Sequence, residues 1–148
     1  MAEPVEIRLQ LLDEGLEVPR YAYPGDAGLD LRCREDFTLE PFERRAVPCG
    51  VAIQLPEGYA ALVLPRSGLA IRHGISLVNA PGLIDSNYRG EITAILVNMD
   101  PHQAFSAKRG ERIAQLMVIK VEEATLVLAG NLEDSTRGSS GFGSSGVL

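Results

Sequence analysis

The sequence lacks an excess of positive charge. Its 14 lysines and arginines are outnumbered by 20 aspartates and glutamates, which gives a formal net charge of -6 at pH 7. Proteins that bind nucleic acid broadly neutralise its phosphates with a basic surface, so this balance argues against a nucleic-acid partner. A smaller polyanionic ligand is compatible with it, provided that a local arginine cluster, backbone N–H groups and a divalent cation counter the overall field.

The chain also has little cysteine and no long apolar run. Cys33 and Cys49 form no CxxC pair and have no histidine nearby in the sequence, so we expect two packed thiols rather than a disulfide or a metal site. No apolar stretch approaches the ~20 residues that cross a membrane. Residues 1–10 are charged and lack the apolar centre of a signal peptide. We therefore expect a cytoplasmic protein without a membrane partner.

The apolar residues occur in short segments rich in Val, Ile and Leu, which Pro and Gly interrupt. This spacing is typical of an all-β sandwich or barrel, and the length of 148 residues fits one domain. One short helix is expected from Ser67, with a serine N-cap and a glycine at its end. The predicted strand segments are 5–12, 46–55, 59–65, 74–80, 91–99 and 112–121.

The segment 91–99, EITAILVNM, is apolar on both faces. This pattern predicts a central strand that is buried on both sides. A small β domain can cover a second apolar face only with another element or with another subunit. The sequence therefore predicts a homo-oligomer.

Two stretches combine glycine with charged groups. In PGDAGLDL (24–31), Asp26 suits a turn in which it caps the backbone, whereas Asp30 lies between two leucines and points to the opposite face. In PRSGLA (65–70), an arginine, a hydroxyl and exposed N–H groups meet at the start of the expected helix. The second stretch is either a phosphate site or an ordinary N-cap beside a surface arginine, and both interpretations stay open here.

Two further stretches place polar groups in apolar surroundings. NAPGLIDSNYRGEI (79–92) predicts a hairpin or long turn with Asp85 at its tip. Asp85 is either a general base for water or a turn former, and Tyr88 either packs across the same hollow or supports the hairpin. In RGERIAQLMV (109–118), Gln115 stands inside an apolar strand. A buried amide without a partner is costly, so Gln115 must bond to the backbone or to a ligand.

The composition changes after Asp134, where a Ser/Gly-rich tail begins. The stretch RGSSGFGSSG (137–146) cannot build a core, so it is either a frayed terminus or a flexible strap. A plain linker has no need of Arg137 or Phe142. A strap that closes on a ligand uses both, because the cation meets phosphate and the ring stacks on a base.

Together and in this order, the five stretches resemble the five motifs of the trimeric deoxyuridine triphosphate nucleotidohydrolases, the dUTPases. The resemblance implies a distorted jelly-roll β-barrel with a flexible glycine-rich tail, and a homotrimer that shares three active sites. It also implies Mg2+-assisted hydrolysis of dUTP to dUMP and pyrophosphate, which keeps uracil out of DNA and supplies dUMP for thymidylate synthesis. Residues 1–134 would form the jelly-roll domain, and residues 135–148 an arm that closes over a neighbouring subunit's site.

The resemblance also implies roles for single residues. Asp85 looks like the catalytic residue that orients and activates the water attacking the α-phosphorus. Asp30 looks like an acid that reaches Mg2+ indirectly, through water, while the triphosphate holds most of the metal. Tyr88 resembles the aromatic that packs on the deoxyribose and excludes a 2′-OH. Uracil and deoxyribose would be bound by Asn79, Leu83, Ile84, Asp85, Tyr88, Thr93 and Phe142, and phosphate by Arg66, Ser67, Gly68, Gln115 and Arg137.

Two alternatives to a plain dUTPase stay open. A dCTP deaminase, or a bifunctional deaminase–dUTPase, shares the fold, but it needs a carboxylate acid/base at C4 of cytosine and has a different loop after the arginine–serine turn. A binding or regulatory protein uses the same pocket without turnover, and the intact Asp85 and tail argue against it. PRSGLA and GFGSSG favour the plain dUTPase.

Overall fold

The computed structural model describes residues 3–147. Within this range the chain forms eleven β-strands and one short α-helix. None of the described helical residues belong to a helix long and apolar enough to cross a membrane. The elements are β1 (Arg8–Leu11), β2 (Leu29–Arg32), β3 (Phe37–Leu39), β4 (Arg44–Pro48), β5 (Val51–Gln54), β6 (Tyr59–Leu64), α1 (Ser67–His73), β7 (Ile75–Leu77), β8 (Gly82–Ile84), β9 (Thr93–Asn98), β10 (Phe105–Ala107) and β11 (Arg112–Lys120).

The strands pair antiparallel and form four sheets. The largest sheet has the order β2-β11-β6-β8, and a three-stranded sheet places β9 between β4 and β7. β1 pairs with β5, and β10 pairs with β3. The predicted strand-rich fold with one short helix is therefore confirmed. Hydrogen bonds between the strands of residues 3–147 do not close a barrel, because proline, glycine and turns keep most ladders short.

The core is one buried cluster to which all four sheets contribute. Leu31 of β2, Val63 of β6 and Leu96 of β9 are almost fully buried. Each stands where the alternation of its strand turns it inward. Burying a side chain of this size contributes ~1.5–3 kcal/mol, so this cluster is the main stabilising feature of the fold.

Asn98 is a fully buried polar residue at the end of β9. Its amide nitrogen donates to the backbone carbonyls of Leu39 at 3.1 Å and Gln103 at 2.8 Å. Its amide oxygen accepts from the backbone N–H of Asp100 at 2.9 Å. The side chain therefore satisfies three backbone groups where the core meets the loop after β9.

Both cysteines are free and buried, as the sequence predicts. The thiol of Cys33 donates to the backbone carbonyl of Lys108 at 3.0 Å, and that of Cys49 to the carbonyl of Val47 at 3.7 Å. Burial raises the pKa of Cys33, and it raises the pKa of Cys49 to about 12. Both residues are therefore packed thiols rather than nucleophiles.

Strand β9 is central in its sheet, as predicted, but its two faces differ. Its residues alternate between buried and half-buried, and the half-buried side carries Ile95 and Val97. A single chain therefore covers only one of the two apolar faces.

Helix α1 begins at Ser67 and ends before Gly74, as predicted, but its N-cap differs. The serine N-cap is wrong, because the carbonyl of Arg66 already accepts the first helical bond, from the N–H of Ala70 at 3.0 Å. Arg66 is thus the N-cap, with extended backbone at φ -95 and ψ 131, and Ser67 is the first helical residue. At the other end Gly74 adopts φ 67, which closes the helix in the left-handed conformation that glycine favours.

The predicted hairpin around Asp85 is wrong in one respect. Residues Gly82–Ile84 form strand β8, which pairs with β6 at the edge of the large sheet, with Leu83 opposite Leu62. Asp85 starts the turn that follows, in which the N–H of Tyr88 donates to its carbonyl at 3.1 Å. Pairing with a strand some twenty residues earlier overrides the local turn signals.

Regular structure within residues 3–147 ends with β11 at Lys120. Residues 121–140 are all exposed, and Phe142 is fully exposed. The exposed segment thus begins at residue 121, before the predicted domain boundary at residue 134. That boundary stays a prediction. The last residue of the predicted arm, 148, and the first two of the N-terminal stretch lie outside the described residues.

Candidate functional site

Three of the sequence stretches meet in a cleft of about 410 Å³ at one end of the large sheet. Strand pairing sets their positions, because Gln115 lies opposite Asp30 of β2 on one side and Leu64 of β6 on the other. The chain then leaves β6 and turns into α1, which brings the arginine–serine turn to the same place. The predicted residues in the lining are Asp30, Arg66, Ser67, Gly68 and Gln115.

Opposite charges meet inside this cleft. Oδ1 of Asp30 lies 3.7 Å from Nε of Arg66, and Oδ2 lies 3.4 Å from Nη1 of Arg112. Arg66 also donates from Nη1 to the backbone carbonyl of Arg112 at 3.0 Å. The two arginines bring guanidinium donors that suit a polyanion into a cleft that also contains the carboxylates of Asp26 and Asp30.

Gln115 has a backbone partner. Its amide nitrogen donates to the carbonyl of Pro65 at 2.8 Å, which ties β11 to the turn before α1. The backbone interpretation of this residue is therefore confirmed. The side chain also lines the cleft, so a contact with ligand stays a prediction.

The stretch 24–31 wraps around the cleft. Asp26 forms the predicted turn, since Oδ2 accepts from the N–H of Tyr23 at 2.9 Å. Gly28 lies against Gln115, and a Cβ at Gly28 would collide with Oε1 of that side chain. Glycine is therefore needed at position 28 for close approach.

A second cavity, of about 310 Å³, lies beside β8 and β9. This volume is of the order that small-ligand sites occupy. Five predicted residues line it, namely Leu83, Ile84, Asp85, Tyr88 and Thr93, together with Ala46, Glu91 and Ile95. We call this cavity the slot, and the first cavity the cleft.

The slot contains two carboxylates with different surroundings. Glu91 is committed to the fold, because Oε2 accepts from the N–H of Gly50 at 2.8 Å and from Nη1 of Arg34 at 3.3 Å. Asp85 is exposed. One acid therefore supports the wall of the slot, and the other faces solvent where a ligand would enter.

Hydrogen bonds within the turn after β8 hold Asp85 in place. The hydroxyl of Tyr88 donates to the carbonyl of Glu91 at 3.0 Å, and Arg89 donates from Nη1 to two carbonyls of the turn at 2.7 and 3.1 Å. The ring of Tyr88 lies over Gly90, where a Cβ would collide with it. The loop that carries Asp85 is thus fixed by its own side chains.

The cleft and the slot have no lining residue in common. Along β6, Gln115 lies opposite Leu64 and Ile84 lies opposite Ala61, so three residues, or ~10 Å of strand, separate the two positions. Asn79 is exposed in the turn before β8 and, within residues 3–147, lines neither cavity. The chain thus holds two separated halves of the predicted site.

The two arm residues also stand apart from both cavities. Phe142 is fully exposed, and Nε of Arg137 donates to the carbonyl of Ser140 at 2.7 Å, within the arm itself. Neither appears among the described residues that line the cleft or the slot. Their predicted contacts with phosphate and uracil stay predictions.

Sequence reasoning missed Arg112 and Glu91. Arg112 is the first residue of β11, and a charged residue at the end of a strand is ordinarily solvated. The partners of Glu91 are Arg34 and Gly50, which lie forty or more residues earlier, so local sequence carries no signal for them.

The cleft and the slot give this mostly β chain two cavities of a size that small ligands occupy, and the cleft carries arginines that suit an anionic ligand. The dUTPase family model matches residues 14–146. The chain therefore belongs to the dUTPase family. It is accordingly a dUTP diphosphatase, a hydrolase of nucleotide metabolism that acts on dUTP.

Relatives and solved structures agree with this assignment. The deoxyuridine 5'-triphosphate nucleotidohydrolase of Thermobifida fusca is 54% identical over 142 residues, covering 96% of this chain and 79% of its own. That of Cutibacterium acnes is 55% identical over 130 residues, covering 88% and 86%. The Staphylococcus bacteriophage 80alpha dUTPase, solved with dUpNHpp, is 28% identical with a TM-score of 0.88, covering 96% and 99%. The dUTPase interpretation of the sequence is confirmed.

Proposed function

We propose that this chain hydrolyses dUTP to dUMP and pyrophosphate through attack of water on the α-phosphorus, with Asp85 orienting the water and accepting its proton. The observation that supports this most directly is the contrast between the two acids of the slot. Glu91 accepts hydrogen bonds from the N–H of Gly50 and from Arg34, whereas Asp85 is exposed. A carboxylate without a structural task can act as a general base. The dUMP formed would supply thymidylate synthesis in the cytoplasm, and removal of dUTP would keep uracil out of DNA.

The cleft would bind the triphosphate. Arg66 and the first N–H groups of α1, from Ser67 and Gly68, are donors that suit phosphate oxygens. Gln115 lies opposite Asp30 in the strand ladder and lines the same cleft. These donors lower the barrier to attack on a polyanion by stabilising charge that develops on the phosphates, and Arg137 of the arm would add a cation at the γ-phosphate.

The slot would bind uracil and deoxyribose. β8 is an edge strand, so one side of the backbone of Leu83 and Ile84 is free of ladder bonds and can read the polar edge of the base. A fixed backbone would also exclude the methyl of thymine by steric contact, whereas an apolar pocket would reject it by only ~1–3 kcal/mol. Tyr88 would pack on the deoxyribose, and Phe142 would cover the base. Asn79 and Thr93 would complete the contacts.

The cleft fits a metal that is held mainly by substrate. The described residues contain no group of three or more His, Cys, Asp or Glu that could hold an ion. Mg2+ keeps several waters and commonly binds through one or two carboxylates plus substrate phosphates, a role that Asp30 suits through a bridging water. When bound, the ion would neutralise charge on the phosphate oxygens.

We further propose that the complete site forms between the subunits of a homotrimer. The cleft and the slot lie on different parts of one chain, so a cleft would face the slot of a neighbour, and the arm would come from a different subunit. The half-buried face of β9, with Ile95 and Val97, supports such an assembly. So does the segment after β11, where apolar residues are almost fully exposed in the single chain: Leu126, Val127 and Leu128.

Mixing two inactive variants tests this proposal. Arg66→Gln damages the cleft and Asp85→Asn damages the slot, so each alone should release little pyrophosphate from dUTP and Mg2+. The two variants are co-expressed with different tags, and assemblies that contain both are purified through both tags in turn. These mixed assemblies should recover activity, because some of their sites combine an intact cleft from one subunit with an intact slot from another.

The matched control mixes Arg66→Gln with Gln115→Ala. Both changes lie in the cleft, so each kind of subunit lacks an intact cleft and no site should recover. If doubly tagged assemblies of Arg66→Gln and Asp85→Asn stay as inactive as this control, cleft and slot do not combine across subunits.

A further inference from the structure

An irregularity in β11 turns Arg112 toward the cleft. In a regular strand, residues three apart point to opposite faces, which would separate Arg112 from Gln115. The register with β2 shifts between Arg112 and Ala114: Arg112 lies opposite Arg32, and Ala114 lies opposite Leu31. One extra residue is therefore inserted in β11, and both Arg112 and Gln115 line the cleft.

The inserted residue is Ile113, and it is held by the core. Ile113 is 1% exposed and Ala114 is 0% exposed, so two successive residues point inward instead of one. The alternation then resumes one position later along the strand. This bulge is thus built into the packing of β11, and its effect is to place a second arginine beside the phosphate-binding residues.

The guanidinium of Arg112 contacts the acid of the cleft. Each oxygen of Asp30 meets one arginine, Oδ2 with Arg112 at 3.4 Å and Oδ1 with Arg66 at 3.7 Å. The carbonyl of Arg112 accepts from Arg66 at 3.0 Å, which closes a ring of contacts. The Arg112 side chain is 46% exposed, and an ion pair so exposed adds little to stability, so the fold alone does not account for it.

We propose that Arg112 is a positioning residue of the dUTP site. It shares Asp30 with Arg66, so that Arg66 is not fully engaged by the carboxylate and stays available to phosphate. Without the charge of Arg112, Asp30 would have one guanidinium partner, and the present 3.7 Å contact would close into a tight pair. This inference rests on the proposed function, in which Arg66 binds phosphate and Asp30 serves the metal.

The test compares Arg112→Gln with Arg45→Gln in the full chain. Arg45 has the same side-chain exposure as Arg112, 46%, and also contacts one acid, Glu43 at 3.7 Å, but it lines neither the cleft nor the slot. Arg112→Gln should raise KM for dUTP by about tenfold, the order of one charged hydrogen bond, with a much smaller change in kcat. Arg45→Gln should leave both constants near wild type.

Four further readouts separate positioning from a structural role. Binding of deoxyuridine, which has no phosphate, should be unchanged in Arg112→Gln, and the melting temperature should be that of wild type. Arg112→Lys keeps the charge and should recover most of the loss. Because Arg112 acts through Asp30, adding Arg112→Gln to Asp30→Asn should raise KM no further than Asp30→Asn does alone.

The outcomes are distinguishable. If KM is unchanged in Arg112→Gln while Arg66→Gln releases little pyrophosphate, the role of Arg112 is overturned and the phosphate cleft stands. A further rise of KM in the double variant also overturns it, because Arg112 would then act without Asp30. If Arg66→Gln releases pyrophosphate like wild type and Arg112→Gln leaves KM unchanged, the phosphate cleft and this inference are both wrong.

Discussion

The two carboxylates of the slot differ in what surrounds them. Glu91 accepts from a backbone N–H and from Arg34, so its charge is used within the fold. Asp85 is exposed, yet the turn that carries it is fixed by Tyr88 and Arg89. A rigid backbone with an uncommitted acid is the arrangement that a general base needs, because positioning of the base limits proton transfer.

Asp85→Asn keeps the shape of the side chain and removes its charge. We expect turnover of dUTP to fall by ~10²–10⁴-fold, the usual contribution of a general base, while dUTP still binds. Pyrophosphate release and equilibrium binding measured on one sample would separate the two effects. Turnover close to wild type would remove Asp85 from its catalytic role.

Asp13 contributes to the surface of the fold rather than to the site. Arg109 donates to its carboxylate from Nη2 at 2.6 Å and from Nε at 3.3 Å, and the N–H of Gly15 donates at 3.0 Å. The hydrogen bond from Arg109, and then that from Gly15, hold the pKa of Asp13 below its ordinary value of 3.8. The stability that this acid contributes is therefore complete above pH 3.8 and is lost as the pH falls through the lowered pKa.

Asp13→Asn should lower the urea midpoint at neutral pH, and its difference from wild type should shrink only below pH 3.8. Urea titrations at several pH values would measure this, with Glu14→Gln as the control for loss of one negative charge. A difference that is the same in acid and at neutral pH would mean that the ionised form of Asp13 is not what stabilises the fold.

At the scale of elements, the sequence predicts which segments are extended better than it predicts their partners. Every predicted strand segment contains a strand, and α1 starts and ends where expected. The edge position of β8 was not predicted, because it depends on pairing with β6 far along the chain. The bulge at Ile113 was missed for the same reason: an inserted residue shows only when β11 is aligned with β2.

The arm is the element with the least packing. Residues 137–147 bury almost nothing in the single chain, so they add little stability. Deleting residues 137–148 should leave the melting temperature and the oligomer unchanged. Turnover should fall sharply, because Arg137 and Phe142 are lost and water is no longer kept from the phosphates.

Phe142→Ala should reproduce part of the loss caused by the deletion. Removing a ring that stacks on a base typically costs ~1–3 kcal/mol, or roughly five- to a hundred-fold in the step it serves. Phe142→Trp is the matched control and should keep most activity, because an indole also stacks. A truncated chain that melts and turns over like wild type would show that the arm is only a frayed end.

At the scale of the whole molecule, a single chain leaves apolar surface open. The outer face of β9 is half-buried, and Leu126, Val127 and Leu128 are exposed. The sequence of 91–99 indicates such a face, because successive residues of a strand point to opposite sides and here residues on both sides are apolar. It does not indicate the number of subunits, because sequence pattern gives no symmetry; the trimer comes from the resemblance alone.

We expect light scattering at neutral pH to return three times the chain mass of 16.0 kDa. Covering the open apolar face favours an assembly over the single chain, and the resemblance to the trimeric dUTPases gives the number three. The measurement should be repeated at micromolar concentration and at moderate salt. A mass near that of one chain would contradict both the shared site and the transfer of the arm between subunits.

The two buried thiols give the molecule its own reporter of unfolding. Thiol reagents attack the thiolate, and burial holds the pKa of Cys49 at about 12, so the native protein offers them almost no target. Labelling must therefore wait for the core to open, and its rate in native buffer counts those openings without any introduced probe. We expect labelling to slow further as protein concentration rises, since assembly lowers the population of opened chains. Immediate labelling of both cysteines would mean that the core around them opens freely.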